Sequence, residues 1–164
     1  ALAFAITEEA VEDNLYDRLS TRYTRALARS MSNTKEVKGA NILNNAFDST
    51  FTFGDGKELC ATDHPTVGGG NFRNELTTSA DLNETSLEQS LIDIAAFIDE
   101  RGLLVAVQGR KLVIPPALQF VADRLMASTL RPGTADNDIN AIRNMGMLAD
   151  GYTVNHYLTD TDAF

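Results

Sequence analysis

From Thr7 to Phe47 the chain contains no proline and a single glycine, Gly39. This run constrains the fold more than any other feature, because proline and glycine are the residues that end helices and open turns. Thr7 is placed as an N-cap, and Glu8, Glu9, Glu12 and Asp13 crowd the first turns, where the helix dipole favours anions. Apolar side chains recur at Tyr16, Leu19, Tyr23, Ala26, Leu27 and Met31, which is helical spacing. The pattern predicts a long helix from Thr7 to about Phe47. A kink or break is expected between Ser32 and Gly39, where Ser-Asn-Thr is poor helix interior. Roughly forty helical residues span ~60 Å, whereas a compact globule of this chain length is ~40 Å across. Such a helix overhangs its own domain, so its apolar stripe needs other subunits or further chain to cover it. The chain is therefore not expected to function as a monomer.

Composition narrows the function classes. The 164 residues carry a formal net charge of −9, which disfavours a general nucleic-acid binder. The acidity is uneven. Residues 1–50 hold six basic and seven acidic side chains, and residues 51–164 hold eight and sixteen. No apolar run reaches the ~18 residues that span a bilayer, so no membrane role is expected. The single cysteine, Cys60, leaves no intramolecular disulfide framework and no cysteine-based zinc cluster. The chain does not start with Met and stops on Phe164, so both ends are expected to continue in a longer protein.

Beyond the helix the character changes. Phe47 to Phe53 alternates like a strand, Gly54-Asp55-Gly56 is a turn, and Lys57 to Thr62 is a second short strand ended by His64-Pro65. Val67 to Asn71, with three consecutive glycines, is a flexible connector. Thr85-Ser86-Leu87-Glu88 forms a capping box, with an alternative start at Asp81 to Glu84. Leu87, Leu91, Ile94, Ala95 and Ile98 make one apolar face of the helix that follows, stopped by Gly102. Leu103 to Val107 and Lys111 to Ile114 are continuous apolar strands, expected to be buried on both faces. Pro115-Pro116 opens another helix with a stripe of Leu118, Val121, Ala122, Leu125 and Met126. Asp136 to Met145 is a short helix, and Tyr152, Val154, His156 and Leu158 alternate as a strand after Gly151. Leu91, Ile94 and Ile98 are expected to pack against Val121, Leu125 and the strand Leu112 to Ile114. This is an α+β pattern.

Four constellations invite chemistry, and each has a blander reading that outweighs it. Cys60 and His64 are close enough to suggest nucleophile and base, but no helix N-terminus flanks the thiol to lower its pKa. A semi-buried cysteine and a loop-fixing histidine account for both. A zinc site would have to bring His64 and His156 together with carboxylates. Asp136-Asn137-Asp138 begins like a calcium loop but lacks the glycine and the distal glutamate, which favours a loop or cap. Gly68-Gly69-Gly70 has no Gly-Lys-Ser/Thr after it, so it is no phosphate loop. No catalytic, cofactor or metal site and no small-molecule substrate is expected. Arg18, Arg22, Arg25 and Arg29, at spacings of four, three and four, share one helical face. That face is either a contact with a neighbouring subunit's carboxylates or with DNA phosphate, or a solvated surface.

Five blocks lie in one order across nearly the whole chain. They are Phe4-Ala5-Ile6-Thr7-Glu8-Glu9-Ala10 with Asp13 and Tyr16; Asn41 to Ser49 with Asp55-Gly56-Lys57 and His64-Pro65; Lys111-Leu112-Val113-Ile114-Pro115-Pro116; Leu130 to Asn140; and Asn155-His156-Tyr157-Leu158-Thr159-Asp160 with Asp162-Ala163-Phe164. Together they resemble the major capsid (major head) proteins of tailed bacteriophages, in particular the Mu-like group. The resemblance implies the HK97-type fold, in which a long spine helix lies in a peripheral domain and a helix-and-sheet axial domain sits at the capsomer centre. It places residues 1–74 in the peripheral domain with its connector, 75–160 in the axial domain, and 161–164 at the start of the return. It implies a structural, non-enzymatic subunit of a virion, assembled in the host cytoplasm. Such a subunit forms hexamers and pentamers of an icosahedral head, with weak non-specific contact to double-stranded DNA. Tyr16, Arg18, Leu19, Arg22, Tyr23, Arg25, Leu27 and Arg29 are then the expected subunit interface. An encapsulin-like compartment shell is the alternative on the same fold, and a small α+β hydrolase using Asp63-His64 the remote one.

Overall fold

The computed structural model describes residues 3–13, 16–131 and 138–161. They divide into two compact units, Ala1–Gly39 and Ala40–Phe164. In the first, the Thr7 hydroxyl accepts from the Ala10 amide and opens a short helix, α1, over Glu8–Glu12. The chain turns at Asp13, whose amide bonds back to the Glu9 carbonyl. A second helix, α2, runs over Tyr16–Asn44. The single helix expected from Thr7 is thus two. Asp13 closes α1 as its C-cap, with φ −76° and ψ 3°. The break expected between Ser32 and Gly39 does not occur. There the Thr34 hydroxyl donates to the Ser30 carbonyl at 2.9 Å, so a poor helix former is satisfied along the helix itself. The 29 residues of α2 make a rod of about 43 Å. Among the described residues from 3 to 39 none is buried, and the first buried side chain is Ala40.

The second unit begins with the last turn of α2. Asn44 there clamps a distant segment, donating to the Tyr157 carbonyl at 3.1 Å and accepting from the Thr159 amide at 2.9 Å. The strands expected at Phe47–Phe53 and Lys57–Thr62 do not form. Asp48 accepts from both the amide and the hydroxyl of Thr50, and Asp55 from the Lys57 amide, and these local turns compete with any ladder. The glycine run is not a slack connector. It closes a hairpin in which β1, His64–Pro65, pairs antiparallel with β2, Asn71–Phe72. Thr66 Oγ1 accepts from the Gly70 amide and donates to its carbonyl, and Gly69 supplies the positive φ of +85°.

Helix α3 spans Glu84–Ala95 and starts one residue before the predicted capping box. Asn83 is the cap, exchanging bonds of 3.0 Å with Ser86. The helix ends well short of Gly102, which instead closes a turn onto the Asp99 carbonyl. Leu103 to Val107 is not a buried strand: it makes one bridge, Leu104 with Ile98, and its side chains are exposed. Strand β3, Leu112–Ile114, pairs in parallel with β4, Tyr152–Val154. It buries one face only, Leu112 and Ile114, with Val113 outward. Pro116–Leu118 forms a 3₁₀ turn leading into α4, Gln119–Ala127. Helix α5 is confined to Ala141–Asn144; of the longer helix expected there, Asp136 and Asn137 lie outside the described residues.

The core of this unit joins Leu87 and Leu91 of α3, Leu112 and Ile114 of β3, Leu125 of α4, and Ile142. Val121 packs against it as expected. Ile94 is only half-buried and Ile98 is 41% exposed. Ile98 lies beyond the end of α3, so the helical period that placed it on the apolar face no longer applies. Asn140, 1% exposed, is the polar tie: its amide donates to the Leu125 and Ser128 carbonyls while its oxygen caps α5. The result is a mixture of helices and two small sheets, compatible with α+β.

Candidate assembly surface

Helix α2 presents two faces. Arg18, Arg22, Arg25 and Arg29 are all exposed, and among the described residues none of the four has an ion-pair partner. Roughly a third of a turn around the helix lie Leu19, Tyr23 and Leu27. Leu19 and Leu27 are half-buried, and Tyr23 is 44% exposed with its ring 5.6 Å from that of Phe4. The Tyr16 side chain lies outside the described residues. The helix thus carries a permanently charged row of guanidinium groups and, separately, an incompletely covered apolar row.

The loop after α2 is held by His64. Its Nδ1 lies 2.6 Å from Asp55 Oδ2 and its Nε2 3.2 Å from Asn74 Oδ1. Asn74 in turn accepts from the Ala61 amide and donates to the Leu59 carbonyl. Two acceptors facing both ring nitrogens suit the imidazolium, and the Asp55 carboxylate raises the His64 pKa. In return the His64 hydrogen bond lowers that of Asp55. With both nitrogens engaged, His64 offers no free base to Cys60, whose thiol is pushed up first by burial and then by Glu75. The two residues are a loop pin and a half-buried thiol. His156 is exposed, and among the described residues no group of His, Cys, Asp or Glu side chains is placed to hold a metal ion.

Sequence reasoning missed an acidic cavity within the second unit. It encloses about 810 Å³ between the loop after α2 and one side of α3. Glu58, Glu75, Asp81 and Asp93 line it, with the rings of Phe47 and Phe97. Burial, and then the neighbouring Glu58, raise the pKa of Glu75. Asp93 Oδ2 is buried without a hydrogen-bond partner, the nearest cation being Arg73 at 3.6 Å. The named residues are scattered from 47 to 97 and no local spacing links them.

The family model for phage capsid proteins matches residues 1–164, the full length of the chain. The chain belongs to the phage capsid protein family. No curated protein matches it, and no solved structure does. This capsid protein is a structural subunit of a virion, made to assemble into a multi-subunit shell. Among the described residues, no helix is long and apolar enough to cross a membrane. For a shell subunit, side chains left uncovered in one copy are candidate contacts with the next. The α2 faces belong to this class, and so do the exposed Leu103, Leu104 and Val105 and the 74% exposed Phe120.

Proposed function

We propose that this capsid protein is a major head subunit of the Mu-like, HK97-type kind, which self-assembles as hexamers and pentamers into an icosahedral head around double-stranded DNA. In this reading residues 1–74 form the peripheral domain, with α2 as its spine, residues 75–160 form the axial domain, and 161–164 begin the return. Tyr16, Leu19, Tyr23 and Leu27 meet neighbouring subunits, and the arginine face supplies charge that selects them. The single observation that carries the reading is the absence of any buried side chain among the described residues from 3 to 39, on a helix of 29 residues. A rod of that length with a partly apolar face is unstable alone in water and is stabilised by repeated contacts in a closed assembly. Assembly takes place in the host cytoplasm. Contact with the genome is weak and non-specific, because the −9 net charge opposes DNA phosphate. Sedimentation and negative-stain microscopy of the full-length protein test this. Closed icosahedral particles are expected; a stable monomer, or only open sheets, would refute it.

A further inference from the structure

We propose that the arginine face of α2 docks into the acidic cavity of a second copy of this chain. The proposal rests on the reading above, that α2 is an assembly surface, and names what that surface meets. Three observations support it. The four arginines are exposed and unpaired, although a guanidinium gains most from a carboxylate it can grip with two hydrogen bonds. The cavity, at about 810 Å³, is of a size that admits side-chain ends rather than solvent alone, and its lining combines carboxylates with Phe47 and Phe97, the residue types that a guanidinium pairs with and stacks on.

The third observation is electrostatic. Glu58 and Glu75 share the cavity wall, and their like charge, together with burial, opposes the ionised form of Glu75. Asp93 Oδ2 in the same wall already has its own cation, Arg73 at 3.6 Å, so the unmatched charge lies with the two glutamates. A cation entering there opposes the like charge of Glu58 and Glu75. Arg22 and Arg25, three apart, present two guanidinium groups about 5–6 Å apart at their roots, a spacing that serves two neighbouring carboxylates. The occupant is a second copy rather than DNA because the complementary charges are on this chain. Its basic row is on α2, and the segment from 51 onward carries sixteen acidic against eight basic side chains.

Two full-length variants test the contact: Arg22→Glu with Arg25→Glu, and Glu58→Lys with Glu75→Lys. Each is expected to lower the yield of shells at least tenfold by sedimentation while keeping its circular-dichroism spectrum. Mixed together the two chains should assemble, since each offers the other an opposite charge. If the arginine variant fails but the glutamate variant assembles normally, the arginines meet another surface: this proposal falls and the reading of α2 stands. If both assemble normally alone with full DNA content, neither the cavity contact nor the arginines' part in assembly survives. Normal shells with reduced DNA from the arginine variant would make the face a genome contact and overturn the proposal. Failure of the folded mixture to assemble would do the same. Should the lysines unfold the domain, Glu58→Gln with Glu75→Gln keeps the shape. Its shells should then dissociate at lower salt than the parent's, and an unchanged salt midpoint would refute the contact.

Discussion

The two compact units of this subunit obey different rules. Residues 3–39 are held by backbone hydrogen bonds within helices and by one aromatic contact, Phe4 on Tyr23, with no buried side chain among those described. Residues from 40 onward enclose a core in which Ile114 and Ile142 are almost wholly shielded, and tie it with a buried asparagine. A helix without tertiary cover gains little from propensity alone, whereas a packed core gains from every methylene removed from water. The second unit therefore has a core of its own, whereas none of the described side chains from 3 to 39 is buried. In a shell protein that division has a use. In the reading proposed above, α2 is the part that finds neighbours, and it stays incomplete until it does.

The sharpest way to break this comparison is to put a charge on α2. Leu19→Asp or Tyr23→Asp in the full-length protein is expected to abolish head formation while the second unit melts as before. Sedimentation and negative-stain microscopy read the first effect and thermal unfolding the second; normal shells from both variants would mean that assembly is not built on this face. Next in size comes the core. Leu91→Ala should cost about 2–5 kcal/mol of unfolding free energy, measured as a shift in the denaturant midpoint. Asn140→Ala should cost about 1–3 kcal/mol in the same assay, because a buried carbonyl, a half-buried one and the cap of α5 lose their partner.

The His64–Asp55 pin predicts a smaller, pH-dependent effect. Its histidine pKa is raised above 6.5, so its contribution is complete below that value and fades as pH rises through the raised one. Its aspartate pKa is lowered below 3.8, so that contribution is present above 3.8 and fades as pH falls through the lowered one. Protection of the Ala61 amide from hydrogen exchange, relative to the intrinsic rate at each pH, should thus be greatest between these limits, since that amide bonds to Asn74. In His64→Gln the loss of protection on the alkaline side should disappear. Smallest of all, Ala106 adopts φ +56°. Ala106→Gly should relieve that strain and offset part of it through backbone entropy, for a net gain below about 1 kcal/mol in unfolding free energy.

Much of this was legible along the chain because it depends on near neighbours. The Thr7 cap, most of α2, the proline entry to α4 and the first half of the strand after Gly151, which ends at Val154 before His156 and Leu158, follow from propensity, capping and period, which act over a few residues. So did the arginine row and the role of His64 as a loop-fixing residue, and five ordered blocks sufficed to point to a capsid protein, as the family match bears out. Long-range pairing was not legible. Phe47–Phe53 and Leu103–Val107 have strand composition, but a strand forms only where a partner offers its own backbone, and here turns and a single bridge took those bonds. The helix stops at Asp13 rather than at Ser32, where the Thr34 hydroxyl bonds back along the helix to the Ser30 carbonyl. The acidic cavity was invisible for the same reason that it is strained: its carboxylates come from separate segments, and only the folding of the second unit brings their charges together.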